Sequence, residues 1–139
     1  MNGDRSDVHK AIAVAIIEDD TSTRVSLRRL CNALGFAATA FASGRAFLEM
    51  LDTNASPPDC ILVDLRMPEM TGLELHRILC ARGVRVPTIL VTAEDAPDVL
   101  DRCAAAGLTV HLQKPVCADQ LFATIERVTG AHQPLPAKF

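Results

Sequence analysis

No apolar run in this sequence is long enough to cross a bilayer. The longest, such as Ala11–Ile17 and Cys60–Val63, fall far short of the roughly 20 residues a spanning helix needs. No basic run stands out either, so the chain is a poor nucleic-acid binder by itself. The first ten residues mix Asp4, Asp7, Arg5 and Lys10 without an apolar stretch and do not read as a secretory signal. Cys31, Cys60, Cys80, Cys103 and Cys117 are odd in number and far apart, with no CxxC or Cys/His cluster. That supports neither a disulfide framework nor a zinc site. Five plain core thiols in a reducing, cytoplasmic compartment is the expectation. Tyrosine and tryptophan are absent altogether.

What is present points to one globular domain. The 139 residues are 49% hydrophobic, which excludes wholesale disorder. Charge is nearly balanced, with 14 Lys and Arg against 17 Asp and Glu for a net −3.

Short apolar runs alternate with helical patterns. Strands are expected at Ala11–Ile17, Ala37–Phe41, Cys60–Val63, Thr88–Val91 and Thr109–Gln113. The second is Ala-rich and weak. Helices are expected over Thr21–Leu34, Gly44–Leu51 and Gly72–Arg82, then from Pro97 to before Gly107, and over Cys117–Val128. Their inward residues would be Leu27, Leu30, Cys31 and Leu34 in the first; Phe47, Leu48 and Leu51 in the second; Leu75, Ile78 and Leu79 in the third. The fourth offers Leu100, Cys103 and Ala104, and the last Leu121, Ile125 and Val128. Gly35 suits a helix end, where positive φ is common. The segment 54–58, NASPP, is the clearest loop. Five strand–helix pairs in strict alternation give an α/β fold, a doubly wound five-stranded parallel sheet covered by helices on both faces. The strand runs are apolar on both faces, as such a sheet requires. Residues 1–10 are expected to be a flexible lead, 11–129 the domain, and 130–139 a Pro-containing tail or linker.

In such sheets the ligand site lies beyond the carboxyl ends of the strands. The first strand ends in Glu18, Asp19 and Asp20, the third in Asp64 and the fourth in Thr92, and Lys114 follows the fifth. Crowded carboxylates raise a pKa or require a cation, and oxygen-only ligands select a hard ion such as Mg²⁺. A carboxylate is also a nucleophile toward phosphorus, and a transferring phosphoryl group needs cations and donors around its oxygens. Taken singly, each of these residues is better explained as a helix N-cap or a solvated charge than as a catalyst; Asp20 reads that way. Their joint placement favours the site. His76 lies in a mixed charged stretch and reads as solvated.

The blocks IIEDD, ILVDLRMPEMTGLEL, ILVTAED and HLQKP resemble, in order and spacing, the four signature blocks of the response-regulator receiver domain. The likeness runs from about Ala11 to about Val128. Its flavour is that of regulators of nitrogen-fixation and nodulation type, which carry a LuxR-like helix-turn-helix output domain. The resemblance implies a flavodoxin-like (βα)5 fold of strand order 2-1-3-4-5. It implies a two-component signalling domain, not a metabolic enzyme, that accepts a phosphoryl group from a histidine kinase or phosphotransfer protein. Asp64 would be the phosphoacceptor. Asp19 directly, Glu18 through water, Asp64 and the Arg66 backbone carbonyl would hold Mg²⁺. Thr92 would be the switch hydroxyl, Ala93 the small residue whose amide faces the phosphoryl group, and Lys114 the phosphoryl-binding lysine, paired with Asp64 at rest. Pro115 would follow a cis bond. A phosphorylation-dependent homodimer, no membrane partner and no small-molecule substrate beyond phosphodonors are implied, with transcription as the output of a domain absent from this chain. Where the family has Tyr or Phe three residues before the lysine, this chain has His111. That residue is either a tolerated surface residue or an altered, pH-sensitive switch. Arg66 and Glu94 are expected near the mouth of the site.

Three other readings compete. An aspartyl-phosphate phosphatase would carry a second acid close after the nucleophile, where Arg66 stands. A receiver-like binding module that is never phosphorylated would be expected to lack an acid or the lysine. A flavodoxin-like cofactor binder would have glycine and hydroxyls in the first turn, which here is EDDTSTR.

Overall fold

The computed structural model describes residues 11–93 and 97–130. Five parallel strands form one sheet: β1 (Ala13–Ile17), β2 (Ala37–Phe41), β3 (Cys60–Asp64), β4 (Thr88–Thr92) and β5 (His111–Gln113). Five helices connect them: α1 (Thr21–Ala33), α2 (Gly44–Asp52), α3 (Gly72–Ala81), α4 (Pro97–Ala105), and α5 (Ala118–Thr129) after the last strand. The order across the sheet is β2-β1-β3-β4-β5, so the direction of winding reverses at β1 and β3. That reversal opens a crevice at their carboxyl ends.

Period-two alternation sends successive strand residues to opposite faces. Ala15, Ile17, Ile61, Val63 and Leu90 pack with Phe47, Leu75, Leu79 and Cys103 under α2, α3 and α4. Val14, Ile16, Leu62, Ile89 and Val91 pack with Leu27, Cys31, Leu121 and Ile125 under α1 and α5. β3 is buried along its whole length, so Asp64 is fixed at the end of the most enclosed strand. Each fully buried aliphatic side chain contributes roughly 1.5–3 kcal/mol.

Several sequence boundaries shift. β1 begins at Ala13, two residues late, because Asp59 takes over there: its Oδ2 accepts the Ala13 N–H at 2.8 Å while its own N–H donates to the Ala13 carbonyl. β5 begins at His111 and not Thr109, since pairing with β4 starts at the Leu90–His111 register. Ala104, expected inward on α4, is exposed, leaving Cys103 as that helix's buried residue. Cys80 and Cys117 are exposed, so only Cys31, Cys60 and Cys103 are core thiols. Gly35, Gly83 and Gly107 have positive φ just after α1, α3 and α4, as helix-ending glycines require. Gly130 is the C-cap of α5. The expectations for 1–10, Glu94 and 131–139 lie outside the described residues.

Candidate functional site

At the carboxyl edge of the sheet, β1 and β3 deliver three acids to one spot. Glu18, Asp19 and Asp64 each place an oxygen within 4.8 Å of the others'. Their surroundings differ. Glu18 is 1% exposed, Asp64 is 8% exposed and Asp19 faces solvent. The β1–α1 turn is pinned from α1: Arg24 Nη1 donates to the carbonyls of Glu18 at 2.9 Å and Asp19 at 3.2 Å. Asp20 stays out of the cluster. It is the N-cap of α1, and Thr23's N–H donates to its Oδ2 at 2.9 Å. That hydrogen bond holds the Asp20 carboxyl below its ordinary range.

Lys114 enters from the other side of the sheet. Its backbone N–H donates to the Thr92 carbonyl at 2.8 Å, tying the loop after β5 to the end of β4. Its ammonium then reaches both buried acids, 2.9 Å from Glu18 Oε1 and 3.5 Å from Asp64 Oδ2. The pairing with Asp64 at rest expected from the sequence is present, and Glu18 is a second, closer partner that the sequence did not suggest. Both Glu18 oxygens are engaged, since Oε2 accepts the Asp20 N–H at 3.1 Å. Burial still pushes the Glu18 carboxyl above its usual value, against the pull of the Lys114 hydrogen bond. Burial alone would lower Lys114, but its hydrogen bond to Glu18 and the charges of both acids outweigh that and raise it.

Asp64 is oriented by its neighbours. Arg66 is exposed, and its backbone N–H donates to Asp64 Oδ1 at 3.2 Å. Leu65 N–H donates to the Val91 carbonyl. Thr92, 4% exposed, ends the adjacent strand one residue beyond Val91, which is in register with Asp64; Ala93 follows, exposed. The Lys114–Pro115 peptide is cis. His111 is exposed at the start of β5, on the side opposite the buried Leu112. A cleft of about 320 Å³ opens beside Asp19, bordered by Ser43, Arg45, Met67 and Met70. The donor set is all oxygen with one ammonium, which suits a hard dication and a phosphoryl group.

The chain matches the response regulator receiver domain over residues 14–126. It belongs to that family. Among curated proteins it is similar to the DNA-binding transcriptional regulator NtrC of Klebsiella pneumoniae, 34% identical over 85% of this chain and 25% of that protein. It is also similar to response regulator MprA of Mycolicibacterium vanbaalenii, 32% identical over 88% of this chain and 52% of that one. A solved response regulator receiver protein from Burkholderia phymatum is 35% identical, covering 88% of this chain and 98% of that one, with a TM-score of 0.76. The chain thus spans a quarter to about half the length of these curated relatives and corresponds to their receiver portion. It is a receiver domain of two-component signal transduction, with the strand order that the signature blocks imply. Among the described residues no helix is long and apolar enough to cross a membrane.

Three features escaped the sequence. The Arg24 clamp had no local signature, because its acceptors are backbone carbonyls. Gly72 lets α3 approach the site: a Cβ there would lie 3.1 Å from the Asp64 carbonyl and 3.1 Å from Leu90 Cδ2. The third had a readable signal. Thr71 and Glu74 form a capping box at the start of α3, the T-x-x-E pattern just downstream of Asp64.

Proposed function

We propose that Asp64 is the phosphoacceptor of this receiver and that its chemistry is completed by Glu18, Asp19, Thr92, Ala93 and Lys114. The observation that carries this reading is the meeting of two further carboxylates and one ammonium, from two other chain segments, around the buried Asp64. The Asp64 oxygen attacks the phosphorus of a phosphohistidine on a histidine kinase or phosphotransfer protein. The P–O bond forms as the P–N bond breaks, and the departing imidazole keeps the electron pair and takes a proton.

The residues fit Mg²⁺. Like charges this close favour a cation, and oxygen donors favour a hard one. Asp19, Asp64 and the Arg66 carbonyl would hold it directly. Glu18 would act through water, because both of its oxygens are already hydrogen-bonded. When bound, the ion neutralises charge on the phosphoryl oxygens. Lys114 supplies a second positive charge, the Thr92 hydroxyl and the Ala93 amide supply donors, and the bond at Pro115 shapes the loop that positions Lys114.

The switch would be read on α4, β5 and α5, with His111 in the position of its ring residue. It would control dimerisation or an output domain for transcription of the kind named in the NtrC relative.

Incubation with acetyl phosphate and Mg²⁺ tests this reading. Intact mass rises by one phosphoryl group, and Asp64→Asn abolishes the rise. Labelling of the Asn variant at the parent's rate would overturn it.

A further inference from the structure

The two acids that open the β1–α1 turn are successive residues, which poses a geometric problem. In an extended strand, neighbouring side chains point to opposite faces. Glu18 and Asp19 instead place carboxylate oxygens within 4.8 Å of each other and of Asp64. The chain must therefore leave the extended geometry between them. Pairing along β1 ends at Ile17, opposite Phe41, and the Glu18 N–H donates to the Phe41 carbonyl at 3.0 Å. Past that bond the turn is held from α1. Arg24, half-buried in the first turn of that helix, brings Nη1 to 2.9 Å from the Glu18 carbonyl and 3.2 Å from the Asp19 carbonyl. Successive carbonyls of an extended strand point opposite ways, so one nitrogen can take both only where the chain has turned. Nη2 reaches Thr21 Oγ1 at 3.3 Å, which fixes the plane of the fork.

With Asp19 and Asp64 read as direct ligands of Mg²⁺, we propose that Arg24 is a positioning residue for that site. By gathering the Glu18 and Asp19 carbonyls on one side of the chain, it holds the two adjacent carboxylates converged on Asp64. Three carboxylates this close repel one another. Asp64 is set at the end of buried β3, and Glu18 is buried and tied to Lys114. Asp19 faces solvent, so it is the acid with the most room to swing away. Its backbone resists that swing, and Arg24 holds its backbone. Arginine suits the task better than lysine. Its planar fork presents two nitrogens in fixed relation, keeps its charge throughout the working pH range, and is weakly enough hydrated to sit half-buried against carbonyls. Because Nη1 takes carbonyl oxygens, it positions the acids without using up the carboxylate oxygens that a cation needs.

Mg²⁺ titrated into the full chain by calorimetry tests the role, with circular dichroism showing that each variant is folded. Arg24→Ala weakens Mg²⁺ affinity by about tenfold, the lower end of what a residue supporting a metal ligand contributes. Arg24→Lys keeps the charge but not the fork, and falls between parent and alanine variant at about threefold. The coupling to Asp19 separates positioning from general stability. In Asp19→Asn, which has lost the ligand through which Arg24 acts, adding Arg24→Ala weakens binding by less than about twofold more. Arg82→Ala breaks an exposed ion pair with Asp52 at the far ends of α2 and α3 and leaves Mg²⁺ affinity at the parent's value. A full further tenfold loss, about that of the single variant, in the Asp19→Asn background would make Arg24 a residue of general stability and overturn the proposal. So would parental affinity in Arg24→Ala, or in Arg24→Lys where the alanine variant does not fold. A parent chain that takes up no Mg²⁺ is a different failure, which removes the ligand assignment itself and the positioning role with it.

Discussion

Lys114 reaches 96 residues back along the chain to place its ammonium 2.9 Å from Glu18 Oε1, closer than it comes to Asp64. The buried acid beside the phosphoacceptor is thus the one that Lys114 neutralises most directly at rest. Asp64 keeps the looser partner, and an oxygen bound less tightly is freer to attack.

A double-mutant cycle measures that difference. Lys114→Ala leaves the buried Glu18 Oε1 without its donor and destabilises the fold by about 1–3 kcal/mol. The coupling between Lys114→Ala and Glu18→Gln in denaturant unfolding exceeds that between Lys114→Ala and Asp64→Asn by about 1 kcal/mol. A larger coupling to Asp64 would show that the 3.5 Å contact is the dominant one.

Asp19→Asn acts in two opposite directions. Removing one of three carboxylates that meet within 4.8 Å relieves like-charge repulsion, on the order of 1 kcal/mol or less for an exposed group. Thermal unfolding without Mg²⁺ therefore moves up. Mg²⁺ affinity falls by at least about tenfold, since Asp19 is a proposed direct ligand. Unchanged affinity by calorimetry would remove Asp19 from the ligand set.

The parts legible in the sequence were those encoded by local pattern. Apolar runs that end in Glu18, Asp64 and Thr92 marked the strands and the edge where the site forms, because a buried parallel sheet must read that way. What hid were pairings set by tertiary reach. Nothing near His76 announces that its acceptor is the Ala106 carbonyl, 30 residues on. Lys114's preference for Glu18 depends on where a long flexible side chain stops. Ala104 satisfied the helical spacing and still faces out, because a methyl group adds little to either face. Thr109 and Val110 suit a strand by composition; the Val110 carbonyl accepts the Leu90 N–H, but the paired register with β4 begins at His111.

His111 is exposed on β5 in the resting chain. If its ring turns inward on phosphorylation, the amide shifts of β5 change when Asp64 is phosphorylated, and His111→Ala, which removes the ring, loses that change while Asp64 is still labelled. An unchanged β5 response in His111→Ala would make His111 a surface residue without a switching role.

Alkali acts on the core through its thiols. Burial pushes the Cys31 thiol up to about 11 and the Cys60 thiol to about 12, from an ordinary 9.0. The folded chain holds these protons where the unfolded chain has released them. The stabilisation is complete below pH 9 and is lost as pH rises through the folded values. By pH 10 the two thiols together remove on the order of 3 kcal/mol relative to pH 8. Urea unfolding under reducing conditions shows this as a fall in stability between those pH values. The double variant Cys31→Ala, Cys60→Ala starts less stable, because each change leaves a small cavity, but it loses much less over the same interval. An equal loss in the double variant would place the alkaline sensitivity elsewhere. Thiol titration of the parent at neutral pH checks the same burial independently: Cys80 and Cys117 react quickly, while Cys31, Cys60 and Cys103 react only as the fold opens.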